Sequence, residues 1–81
     1  MKRDEVFNLV RDHLADELEI DAAEITEGTR FKEDLDADSL DLYELVMELE
    51  DRYGISVSEE QAARIATVGD AISFVVEHAP A

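Results

Sequence analysis

The sequence predicts an all-α fold: an irregular four-helix bundle with three main helices, one short helix and a long first loop. Three observations predict it. Apolar residues recur at helical spacing in separate stretches, capping and stop signals bound those stretches, and no alternating run is long enough to build a sheet. The 81 residues suit a single domain over 1–81, with no repeat, low-complexity segment or linker. A domain this small buries only about 60% of the surface its extended chain exposes. Efficient packing is therefore required, and a deep catalytic cavity has little room beside the core.

The elements follow in order. Val6, Val10, Leu14 and Leu18 recur every fourth residue, with Phe7 beside them and charged residues filling most gaps, which predicts an amphipathic helix from about Arg3 to Leu18. The next stretch, Glu19 to Asp38, carries Ile20, Ile25, Phe31 and Leu35, too many apolar side chains for a free linker. It reads as a long ordered loop pinned to the core by Ile25, Phe31 and Leu35, with Asp21-x-x-Glu24 capping one short turn and Gly28 at a reversal. A second helix runs from Ser39 to Arg52 or Tyr53, with Leu42, Leu45, Val46, Leu49 and Tyr53 facing inward and Gly54 stopping it. Ile55-Ser56-Val57 alternates but is too short for a sheet. Ser58-Glu59-Glu60-Gln61 is a capping-box pattern opening a short helix that ends near Arg64, with Ala62 and Ile65 inward. Thr67 caps a last helix, Val68 to about His78, with Ala71, Ile72 and Val75 inward, before Pro80 ends any helical tendency.

Charge narrows the function classes. There are 22 acidic against 7 basic residues, a net charge of −15. Nucleic acid and anionic membrane both require basic surface, so neither is expected as a partner. Proteins that present Lys and Arg are favoured instead. The acidity is concentrated: between Glu33 and Glu60, Arg52 is the only basic residue. No cysteine is present, so any sulfur chemistry must arrive on a cofactor. Met1-Lys2-Arg3-Asp4-Glu5 shows no secretory pattern and no apolar run reaches membrane-spanning length, which makes a cytoplasmic monomer the expectation.

Asp34, Asp36, Asp38 and Asp41 crowd around Ser39, and three explanations compete. A calcium-loop reading from Asp34 matches its first, third and fifth ligands, but Ser39 replaces the turn glycine and Leu45 the bidentate glutamate, so no specific metal site is expected. A helix cap explains Asp38 and the favourable charge of Asp41. An attachment point explains more: a phosphate ester on Ser39 would meet the unpaired N–H groups of a helix start, although simple phosphorylation fits the same spacing. Hydrolytic chemistry lacks a positioned base. His13 reads as a partly exposed helix residue and His78 as a last-turn residue, and an autonomous enzyme is disfavoured.

The stretch DLDADSLDLYELVMELE from Asp34 to Glu50, with Ile65-Ala66-Thr67-Val68-Gly69-Asp70-Ala71, resembles the acyl carrier protein family, and the resemblance spans nearly the whole chain. It implies a non-catalytic carrier of growing acyl chains as thioesters in fatty acid biosynthesis, with 4'-phosphopantetheine transferred from coenzyme A to Ser39 by a phosphopantetheinyl transferase. It also implies that Asp38, Leu40, Asp41, Tyr43, Glu44, Met47, Glu48, Glu50 and Asp51 meet basic surfaces of synthases, reductases, dehydratases and acyltransferases. Leu42, Val46, Leu49, Ile65 and Ala71 become candidates to line an acyl pocket. The chain departs from the family pattern at Asp36, where many members have Gly; at Tyr43, commonly smaller and apolar; and at Ser58, frequently Pro. Asp tolerates the left-handed backbone that a turn at position 36 needs. A carrier for a polyketide, peptide or specialised acyl pathway is the nearest alternative, and an acidic interaction module without a prosthetic group is the more distant one.

Overall fold

The computed structural model describes residues 2–79. Among them are four α-helices: α1 Arg3–Leu18, α2 Ser39–Tyr53, α3 Glu59–Ala63 and α4 Val68–His78, with a 3₁₀ turn at Ala22–Glu24 in the loop between α1 and α2. The expected bundle is observed. No described helix is long and apolar enough to cross a membrane. Pro80 lies outside the described residues; α4 ends with the Ala79 N–H donating to Val75 O at 2.8 Å.

Local sequence chemistry sets most helix ends. Asp38, Ser58 and Thr67 each accept from the backbone N–H three residues on, and Asp41, Gln61 and Asp70 each reach back to the cap's own N–H. Gly54 ends α2 in the left-handed conformation, φ 66°. Glu19 ends α1 with φ 55°, and the Ile20 N–H reaches back to Ala15 O at 3.1 Å. A glutamate there carries no sequence signal for such a stop. Asp36 also adopts φ 53°, so the left-handed turn expected at this position is made by aspartate.

The core is built from Val6, Val10 and Leu14 of α1, Leu45 and Leu49 of α2, and Val68, Ala71, Ile72 and Val75 of α4, closed by Ile25, Phe31, Ile55 and Ile65. α1 packs along α4 and, less extensively, along α2. Val46 and Ala62 are buried yet stand outside the main cluster. The short α3 leaves an open cleft beside α2, lined from both helices.

The long loop is ordered by more than its apolar residues. Ile25 and Phe31 are buried and Leu35 half-buried, as expected. Beyond that, the loop backbone closes the N-terminus of α4. The Val68 N–H donates to Thr29 O at 2.9 Å and the Gly69 N–H to Glu27 O at 2.7 Å, which uses donors that a helix start leaves unpaired. The Phe31 N–H donates to Ala66 O at 3.0 Å and the Ala37 N–H to Phe31 O at 2.9 Å. Gly28 sits in the turn that the Thr29 N–H closes onto Thr26 O, and the Thr26 N–H donates to the Thr29 hydroxyl at 2.9 Å. Arg3 ties α1 to this loop through Glu27 and to α4 through Ser73. The loop therefore ends in a fixed position, and that position delivers Asp38 and Ser39.

Candidate functional site

Ser39 is the first residue of α2 and is exposed. The cap beneath it is closed without its hydroxyl: the Asp41 N–H donates to Asp38 Oδ1 at 3.0 Å and the Asp38 N–H to Asp41 Oδ2 at 3.2 Å. The Leu42 N–H donates to Asp38 O. The N–H groups of Ser39 and Leu40 have no helical acceptor and stay open beside the hydroxyl. The contrast with α4, whose first donors are taken by the loop, is direct. An exposed hydroxyl next to open N–H groups at a helix start suits a phosphoester.

Ser39 lines one end of a cleft of about 210 Å³ between α2 and α3, shared with Lys32, Leu42, Tyr43, Ala62 and Ile65. An adjoining cleft of about 210 Å³ shares Lys32, Leu42, Ala63 and Ile65 with it and continues past Phe31 toward Thr67. Leu42 and Ile65, two of the five pocket candidates, therefore border this space. Val46, Leu49 and Ala71 are buried and line neither cleft.

The outer face of α2 carries the remaining candidates. Leu40, Tyr43 and Met47 are 64%, 48% and 65% exposed on a helix whose opposite face is buried. Met47 is therefore surface, not core filler. Three large apolar side chains are thus held in water beside the acids of this face. Glu44, Met47, Glu48, Glu50 and Asp51 line one shallow depression on this face. Two of these acids have internal partners. Glu48 pairs with Arg52 at 3.3 Å, and a carboxylate oxygen of Glu50 accepts the Val57 N–H at 2.9 Å, holding the segment after α2.

The structure also brings in Glu17 of α1. One carboxylate oxygen each from Glu17, Asp41 and Glu44 lies within 4.8 Å of the others. Nothing local in the sequence joins Glu17 to α2. His13 Nε2 stands 3.3 Å from Glu17 Oε2 without hydrogen-bond geometry, and His78 Nδ1 donates to Phe74 O at 2.9 Å while its ring stacks on Phe74. Neither histidine lines the Ser39 cleft. Before α2, Arg30 grips Asp34 at 3.1 Å and also Glu33. The Arg30 hydrogen bonds hold the Asp34 carboxyl below the usual aspartate range, and Asp34 in turn raises Arg30.

Comparisons with known proteins agree with this geometry. The family model described as "Phosphopantetheine attachment site" matches residues 8–75. The acyl carrier protein of Lactobacillus acidophilus is 46% identical over 78 residues, covering 96% of this chain and 98% of that one. That of Rubrobacter xylanophilus is also 46% identical over 78 residues, covering 96% of each. The solved structure of the acyl carrier protein from Enterococcus faecalis superposes with a TM-score of 0.83 at 38% identity, covering 98% of this chain and 100% of that one. An interaction module without a prosthetic group is set aside by these matches. The chain belongs to the acyl carrier protein family and is a non-catalytic carrier of acyl groups on a covalent phosphopantetheine arm in fatty-acid-type biosynthesis.

Proposed function

We propose that Ser39 is the residue esterified by 4'-phosphopantetheine, and that the exposed face of α2 is where partner enzymes dock. The observation that carries this is the exposed Ser39 at an open helix start, with its own cap already closed by Asp38 and Asp41. When bound, the arm supplies a thiol that holds acyl groups as thioesters, which fits a chain with no cysteine. The protein's own residues do the rest. The long loop and the Asp38–Asp41 box fix the hydroxyl in place. Leu40, Tyr43 and Met47 offer apolar contact, and Asp41, Glu44, Glu48 and Asp51 draw basic surfaces toward it. Leu42 and Ile65 border the cleft in which an acyl chain can be sheltered, with Val46, Leu49 and Ala71 behind them.

The partners in this reading are a phosphopantetheinyl transferase and the acyl-chain synthases, reductases, dehydratases and acyltransferases, acting on a cytoplasmic monomer. The test is intact mass after incubation with coenzyme A, magnesium and an active transferase, followed by peptide mapping. One phosphopantetheine increment on the Ser39 peptide, absent in a folded Ser39→Ala variant, is expected. An increment that persists in Ser39→Ala rules out Ser39 as the attachment residue.

A further inference from the structure

Around Ser39 the charges are almost all negative. Asp36, Asp38 and Asp41 flank it in sequence, and Glu59 lines the same cleft from α3. A phosphodiester on Ser39 adds another negative charge there. The open N–H groups of Ser39 and Leu40 are its only helix-start donors, because the cap has taken that of Asp41.

Among the described residues, one cation lines the cleft that holds Ser39, and it is Lys32. Lys32 is exposed and borders both adjoining clefts. Its acidic neighbours in sequence are occupied elsewhere, since Arg30 takes Glu33 and Asp34. Glu59 lines the same cleft but stands outside ion-pair distance of it. Lys32 is thus a cation beside the modification point with no anion among the described residues paired to it.

We propose that Lys32 is a positioning residue for the prosthetic arm: its ammonium pairs with the phosphodiester carried by Ser39 and lays the arm into the cleft bordered by Leu42, Ala63 and Ile65, away from the acidic outer face of α2. This rests on Ser39 as the attachment residue. Like-charge repulsion from Asp38 and Asp41 pushes the phosphodiester outward, and Lys32 is the opposing attraction on the cleft side. The ammonium sits on a flexible stem, so it can follow the phosphate when a partner draws the arm out. The pair is solvent-exposed and correspondingly weak, which suits an arm that must dock and leave repeatedly.

The test uses the full chain loaded from coenzyme A. Intact mass and peptide mapping first establish whether the increment lies on Ser39. Phosphorus NMR and cross-relaxation from the pantetheine methyl groups to the Leu42, Ala63 and Ile65 methyls are then compared in wild type, Lys32→Gln and Glu59→Gln. The expected result is cross-peaks in wild type, with Lys32→Gln shifting the phosphorus resonance and lowering the ratio of docked to free arm by up to about fivefold. The difference should fade at about 1 M salt. Glu59→Gln should strengthen the cross-peaks, because it removes the competing anion on the cleft. Loaded Ser39 with no cross-peaks in wild type, or with identical spectra in wild type and Lys32→Gln, overturns the role of Lys32 while leaving the attachment intact. No increment on Ser39 overturns both, and the mass measurement separates the two failures.

Discussion

Asp38 and Asp41 hold each other's backbone N–H groups across the first turn of α2, at 3.0 and 3.2 Å, directly beneath the exposed Ser39. Two carboxylates of like charge sit together because each is anchored to a donor that the helix start would otherwise leave open. Ser39 is thus carried on a cap that makes no use of its own hydroxyl.

Asp38→Ala should therefore destabilise the fold as well as weaken recognition. Loss of an N-cap carboxylate costs about 1 kcal/mol. In a domain of this size that lowers the melting temperature by roughly 4–8 °C. Thermal denaturation followed by circular dichroism measures it, and an unchanged midpoint contradicts a stabilising cap.

Gly69→Ala should destabilise, although alanine is the better helix former. A Cβ at position 69 would lie 2.9 Å from Glu27 O, the atom that accepts the Gly69 N–H. The neighbour is backbone and cannot swing aside. Overpacking of about 1–3 kcal/mol exceeds the roughly 1 kcal/mol that alanine offers over glycine in a helix. The loop at Glu27–Thr29 should show faster amide exchange in this variant. Equal or greater stability than wild type would show that the loop yields freely.

Salt should raise the melting temperature, and Glu44→Gln should raise it at low salt. Glu17, Asp41 and Glu44 bring carboxylate oxygens within 4.8 Å of one another, so α1 and α2 repel at that point. Exposed charge pairs contribute about 0.2–1 kcal/mol, which corresponds to a gain of roughly 1–8 °C. The gain should shrink as salt screens the wild type. A Glu44→Gln variant that melts below wild type at low salt refutes the repulsion.

Acid should loosen the turn before α2. Hydrogen bonds from Arg30 lower the folded-state pKa of Asp34 beneath its unfolded value. The unfolded chain then binds the proton more readily, so this stabilisation is present above the ordinary aspartate range and is lost as pH falls through the lowered value. Asp34→Asn should flatten that part of the acid unfolding curve. The readout is stability against pH in both proteins, and parallel curves throughout the acid limb contradict the coupling.

The helix bounds were legible because their causes are local. Asp38 with Asp41, Ser58 with Gln61 and Thr67 with Asp70 are residues three apart whose side chains and backbone meet within one turn. Gly54 stops α2 by its own conformational freedom, and Asp36 makes a glycine-like turn because its short side chain tolerates it. Ser39 stood out for the same reason: a serine at a capped helix start among acids is a pattern contained in eight consecutive residues, Asp34 to Asp41.

What the sequence by itself determined was therefore the elements, the apolar stripe of each helix and the placement of Ser39 at the capped start of α2, since each rests on contacts within a few residues. Only the tertiary structure decided that the loop backbone seals the start of α4 while the start of α2 remains open, that Glu17 faces Asp41 and Glu44, that Glu50 turns to hold Val57, and that Lys32 shares the Ser39 cleft. Those relationships join segments distant in the chain. They depend on how α1, α4 and the loop pack around one core, and the angle at which that packing sets each backbone leaves no local periodicity to read.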